Sequence, residues 1–229
     1  MNKNYHEGLA EYKISSFILK KIRGQMYKCF IDNFKIDKTL KIVNYKTSAQ
    51  ETEDSNFFIK CYPYKQNITS LSIFDNKSIL NYFPEITLKT IKKDGKLEFE
   101  DNSFDILISN AVLEHFSSEE ILINNVKEML RISKNLFITI PNCYFPIEHH
   151  TSIPLLHYLP KKIFRFIIDK IGFKFYSKKE NLNFYSKKSI KKILSKNLKE
   201  DLTYMYTGFK LGIFSSNLAI FKKYKEKIY

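Results

Sequence analysis

The sequence predicts an α/β domain with a mainly parallel sheet, and three observations support that class. Short β-prone runs alternate with helical periodicities from residue 40 to residue 140. Two of those runs end on an aspartate, Asp75 and Asp94, as strands do when they carry polar groups to a ligand at the carboxyl edge of a sheet. The stretch 94–115, DGKLEFEDNSFDILISNAVLEH, joins a turn at Asp94 and Gly95, a polar approach, a buried strand and a polar exit.

Residues 8–34 read as an amphipathic helix, because Ile14, Phe17, Ile18, Ile22, Met26, Phe30 and Phe34 recur at spacings of three and four. LKIVNY at 40–45 is the first strand, and 46–67 shows no periodicity before its aromatic cluster Phe57, Phe58, Tyr62 and Tyr64, which suits either a pocket lining or a cover on the sheet edge. Strands follow at 68–74 and 86–91, separated by a helical turn that Pro84 stops. FDILIS at 104–109 is a continuous buried strand, and Ser117 with Glu120 reads as a capping box for the next helix. LFITI at 136–140 is another buried strand. Residues 144–160 hold three of the six prolines and three of the five histidines, a stretch too interrupted for one element and suited to an insertion over the sheet end. Pro160 opens a basic helix, Ser186 caps another, and DLTYMYT and SNLAIFKKY form an antiparallel closing pair joined by GFKLGIFS.

At 229 residues the chain suits one elaborated domain, and 44% hydrophobic with 15% aromatic residues argues against disorder. Cys29, Cys61 and Cys143 form no C-x-x-C pair, so neither a disulfide framework nor a zinc knuckle is expected and a reducing, cytoplasmic setting fits. The first residues lack a signal-peptide core, and no apolar run approaches the ~20 residues that cross a bilayer. The net charge of +14 comes from lysine pairs scattered along the chain and concentrated only in the last third. That pattern fits a lysine-rich composition better than a nucleic-acid surface, and it leaves peripheral contact with an anionic membrane open.

The run from Asp94 to His115 resembles the central motif of class I S-adenosylmethionine-dependent methyltransferases. The similarity is greatest to a bacterial, type 11-like group of small methyltransferases, through SNAVLEH together with DSNFFIKCYPYKQNIT upstream and IPNCYFPIEHHTSIPLLHYLP downstream. The resemblance implies a Rossmann-like seven-stranded mixed sheet with its last strand antiparallel, helices on both faces and an insertion after the fifth strand. Within a single domain 1–229 it implies an N-terminal helix (8–34), a cofactor-side sheet (40–140), a substrate-side insertion and helix (141–185), and a closing helix and strands (186–229). It further implies S-adenosyl-L-methionine as cofactor, with Asp75 at the ribose, Asp94 and Gly95 at the adenine, and Ser109 and Asn110 where the methionine end meets the substrate. The departure is in the first strand, where Val43 stands for an acid and Tyr45 for a glycine, and a ring there would obstruct a close backbone approach.

Methyl transfer is an in-line displacement that needs orientation and, for an oxygen acceptor, a base; His115, Glu148 and His150 are the catalytic candidates. His149 and His157 are weaker candidates for the base, His157 reading as structural in its apolar run, and Glu148, His149, His150 and His157 match no metal-ligand spacing, so no metal is expected. Asp105 and Asp101 read as backbone-binding and turn residues. The leading expectation is a methyltransferase for a small molecule or glycan. The altered first strand motivates a second, a catalytically impaired binding or scaffold protein. A nucleic-acid methyltransferase rests on charge alone and lacks an N/D-P-P-Y/F motif where this chain has SNAV.

Overall fold

In a computed structural model that describes residues 16–48, 55–73, 77–91 and 96–224, the β-prone runs assemble into one seven-stranded sheet. The strands are β1 Ile42–Tyr45, β2 Ile68–Ser72, β3 Thr87–Thr90, β4 Phe104–Asn110, β5 Ser133–Pro141, β6 Thr203–Leu211 and β7 Phe214–Lys222, in the order β3-β2-β1-β4-β5-β7-β6. Neighbours from β3 to β5 are parallel, whereas β7 runs antiparallel to both β5 and β6. The order reverses between β1 and β4, where Tyr45 is level with Ser109, and such a reversal opens a crevice at the carboxyl ends of the strands.

Helices cover both faces. Helix α1 Ser16–Asn33 and the short α2 Phe57–Cys61 pack on one, and α3 Glu119–Ile132 and α6 Lys187–Asn197 on the other. Strand alternation divides the residues: Ile42, Ile106 and Ile108 point to the α1 side, and Val43, Tyr45 and Leu107 to the α3 side. The α1 side is an aromatic cluster in which Phe30 meets Phe34, Phe58 and Phe137 at centroid distances of 5.4, 5.1 and 5.4 Å. The cluster at 57–64 is therefore core: Phe57, Phe58 and Tyr62 are buried and Tyr64 packs beside them. Of the helix expected at 8–34, the part before residue 16 lies outside the described residues.

Two boundaries differ from the sequence reading. Ser118, not Ser117, caps α3 by accepting a hydrogen bond from Ile121 N–H, because Phe116 is drawn into the core and shifts the start by one residue. The closing strands extend through GFKLGIFS, leaving only Gly212 and Ile213 as the turn. The added length contains an irregularity between Thr207 and Lys210. There Gly208 adopts φ +80°, and a Cβ would collide with Ser216 Oγ and Asn217 Oδ1. Because Ser216 Oγ also accepts Phe209 N–H at 2.9 Å, it is not free to move aside. Gly208→Ala is expected to lower unfolding stability by about 2–3 kcal/mol in urea titration, from the left-handed backbone and the clash together. A loss below ~0.5 kcal/mol would show that the strand relaxes around the methyl.

The segment between β5 and β7 holds α4 Lys161–Lys170 and α5 Lys174–Ser177, and residues 141–160 before them form turns closed by an Ile147–Pro154 bridge. Phe164, Ile168 and Leu182 give this segment its own small core. No helix among the described residues is long and apolar enough to cross a membrane. The lysines of α4 stand beside exposed Ile163 and Phe166.

Candidate active site

The exit of β4 and the 141–160 segment meet at a buried cluster of four ionisable side chains. Past Asn110 the backbone turns through Ala111 (φ 51°) into a 3-10 turn, Leu113–His115, which directs Glu114 and His115 beneath the segment. Glu148 and His150 come from the facing turn. Glu148 is 4% exposed, and its carboxylate accepts hydrogen bonds from the N–H of His150 and of Thr151, from Thr151 Oγ1 (2.8 Å) and from His150 Nδ1 (2.9 Å). His115 Nδ1 donates to Asn181 O at 2.7 Å, and the two Nε2 atoms face each other at 3.2 Å. Tyr176 covers both rings. Glu114 is 2% exposed, and neither of its oxygens has a hydrogen-bond partner.

This environment separates the four groups electrostatically. Burial raises the Glu114 carboxyl to about 7, only partly offset by the charge of His150. Burial would raise Glu148 as well, but the charge of His150 and the hydrogen bonds of His150 and Thr151 outweigh it and hold Glu148 at about 2. His115 is lowered to about 4 by burial, with His150 adding to the effect. For His150 burial is overcome by the charge and hydrogen bond of Glu148 and by the charge of Glu114, so its pKa lies above the ordinary imidazole value. Lys46 follows β1 with φ 60°, stacks over the Phe116 ring at 4.3 Å, and is lowered to about 8 by burial against the opposing pull of Glu114.

The structure brings His115, Glu148 and His150 together and adds Glu114 and Lys46, which the sequence reading did not select. The available signal for Glu114 was a carboxylate following the apolar run Ala-Val-Leu, where a charge has to be used or neutralised. His157 packs on Tyr158 and Phe184 instead, and burial lowers His149 to about 4 beside Phe145. Asp105 accepts Lys41 N–H and Lys134 Nζ, and Asp101 pairs with Arg131 at 2.9 Å, both of them structural contacts.

On the cofactor side, Ser109 is fully buried with its hydroxyl unpartnered, and Asn110 Oδ1 accepts a hydrogen bond from Thr139 Oγ1 at 2.5 Å. Asp75, Asp94 and Gly95 lie outside the described residues. The Tyr45 phenol turns into the α3 face, where it is buried and donates to Asn125 Oδ1 at 2.5 Å. The left-handed turn expected of a glycine occurs one residue later, at Lys46.

Residues 67–138 match the family described as a methyltransferase domain. The Rossmann-like fold is shared with solved structures at low sequence identity, among them proteins described as S-adenosylmethionine-dependent methyltransferases. An S-adenosylmethionine-dependent methyltransferase of Thermotoga maritima superposes with a TM-score of 0.60 at 13% identity, over 94% of this chain and 95% of that one. A protein of Pyrococcus horikoshii OT3 gives 0.56 at 12% identity, over 95% and 100% of the respective chains. A methyltransferase of Aquifex aeolicus gives 0.54 at 10%, over 91% and 98%. No curated protein matches by sequence. The chain thus combines a β2–β5 segment that matches this family with a first-strand turn built from Tyr45 and Lys46 rather than an acid and a glycine.

Proposed function

We propose that the protein transfers a methyl group from S-adenosylmethionine to an oxygen of a small-molecule or glycan acceptor. The observation that carries this reading is the buried Glu114–His115–His150–Glu148 cluster at the exit of β4, on the edge of the sheet where its order reverses. A methyl sulfonium supplies an electrophilic carbon and a good leaving group, so the chain's own work is to orient the acceptor, exclude water and ionise its hydroxyl. Ser109 and Asn110 would hold the methionine end, and the unpartnered Ser109 hydroxyl is the kind of buried group that a ligand completes. Asp75 would bind the ribose, and Asp94 with Gly95 would border the adenine. The acceptor's polar end would enter the cluster from the 141–185 side, with Glu148 fixing His150, and Asn181 fixing His115, through their Nδ1 atoms.

The fit is weaker at the first strand, where among the described residues no carboxylate replaces the missing acid: Val43 is buried in the core and Asn44 donates to Thr47 Oγ1 at 2.9 Å. That gap supports the second reading, a methyltransferase-like binding protein. A ligand bound only by the folded state at ~100 times its dissociation constant adds about 2.7 kcal/mol, so saturating S-adenosylhomocysteine is expected to raise the melting temperature by about 5–11 °C. An unchanged melt with both cofactor and product at millimolar concentration would remove the enzymatic reading. A shift without methyl transfer to any hydroxylated metabolite or glycan would favour the binding protein.

A further inference from the structure

His115 donates its Nδ1–H to a backbone carbonyl and His150 donates its own to an ionised carboxylate, so both neutral rings carry a lone pair on Nε2. Those lone pairs confront each other at 3.2 Å, across a ring angle of 86°. Such a contact is repulsive unless a positive centre lies between them. A proton on His150 would satisfy the two nitrogens but leave the Glu114 carboxylate, 3.8 Å from His150 Nε2, buried and unpartnered. One cation serves all three.

We propose that Glu114, His115 and His150 bind a divalent first-row transition-metal ion of the zinc type, and that the ion receives an oxygen of the methyl acceptor. The acceptor half of this statement rests on the methyl-transfer reading, while the metal site stands on the geometry alone. The three ligand atoms lie within 4.8 Å of one another. Two imidazole nitrogens bound to one tetrahedral zinc at ~2.0–2.1 Å are separated by roughly 3.3 Å, which is close to the observed 3.2 Å. The outer contacts are those of a metal site: a carboxylate and a backbone carbonyl accept the Nδ1–H groups, fixing tautomer and ring orientation. Two imidazoles and a carboxylate suit zinc, cobalt or ferrous iron better than magnesium or calcium, which favour oxygen ligands. The sequence reading expected no metal because it sought ligands within 148–157, whereas the fold draws Glu114 and His115 from 33 or more positions earlier and leaves His149 and His157 aside.

Three protein ligands leave a coordination position open, as in sites where the ion acts on a bound molecule. An acceptor hydroxyl coordinated there would lose its proton more readily, since zinc brings the pKa of bound water from 15.7 to ~7. The methyl donor would then meet a nucleophile already formed.

The test uses the full chain, stripped with chelator, dialysed and titrated with Zn2+ by calorimetry and with Co2+ by visible absorption. One ion per chain is expected, with cobalt bands of low coordination number. Glu114→Gln and His150→Ala are each expected to weaken Zn2+ binding more than ~100-fold, and Glu148→Gln by roughly 10–100-fold. Glu114→Gln keeps the side-chain shape, and its far-UV dichroism reports whether it folds. The absence of stoichiometric binding by the wild-type chain would overturn the proposal, as would unchanged affinity in folded Glu114→Gln and His150→Ala. The S-adenosylhomocysteine melt of the metal-free chain separates the two readings: a shift without metal binding sinks the metal site alone, and metal binding without a shift sinks methyl transfer alone.

Discussion

Glu148→Ala is expected to destabilise the 141–160 segment by about 3–5 kcal/mol, as removal of one member of a buried charged pair does. The carboxylate is the organising atom group of its turn. It accepts the N–H of His150 and of Thr151, the Thr151 hydroxyl and the His150 ring, and it has almost no access to water. Alanine would leave these donors buried with nothing to accept them, and would leave His150 without the charge that favours its imidazolium. The segment has a small core of its own, and residues 148–151 belong to neither main cluster, so the loss is expected as local opening before global unfolding. Limited proteolysis checks this directly. New cleavage between residues 141 and 160, with the urea midpoint of the sheet little changed, is the expected result. A variant as protease-resistant as the wild type would mean that water replaces the carboxylate at little cost.

Phe30→Ala has the largest expected effect on the sheet itself, about 3–5 kcal/mol in chemical unfolding. Phe30 is 1% exposed and touches Phe34 just past α1, Phe58 of α2 and Phe137 of β5 at once. Removing the ring opens a cavity bounded by Phe34, Phe58 and Phe137, which are held on three different segments and cannot close together. Ile31 on the same helix is 42% exposed, so Ile31→Ala is a control expected within about 0.5 kcal/mol of wild type. Equal losses from the two would mean that α1 contributes through helix formation rather than through packing.

The order of strands and helices was legible because β4 and β5 are near-continuous apolar runs with polar ends, β2 alternates apolar with small polar residues, and spacing three and four marked α1. The α3 start was misplaced by one residue because Ser117 and Ser118 have the same capping chemistry, and only the packing of Phe116 chooses between them. The aromatic run at 57–64 was ambiguous for a related reason: aromatic residues line pockets and fill cores equally well, and α1 decides the matter from elsewhere in the chain. His115, Glu148 and His150 were readable as reactive residue types. Their meeting was not, since a separation of 35 positions between His115 and His150 carries no local periodicity that links them. Glu114 was hidden by its neighbours, because a carboxylate next to a histidine after an apolar run looks like an ordinary helix-start charge. The direction of the Tyr45 ring was not legible, because sequence shows that a ring is present but not which face of the strand it leaves from.

The position of β7 between β5 and β6 has a consequence for how the protein is made. During synthesis the strands from β1 to β5 emerge first, yet the free edge of β5 stays open until the closing hairpin leaves the ribosome. Helix α1, among the earliest elements to emerge, can dock on α2 and β5 but completes its packing only then, because it also packs on β6 and its Gln25 carbonyl accepts the Thr207 hydroxyl across 182 positions. Such long-range closure slows folding and leaves part of an apolar helix and an unpaired strand exposed together while translation continues. The nascent chain should therefore depend on chaperone protection until residues 203–222 have appeared.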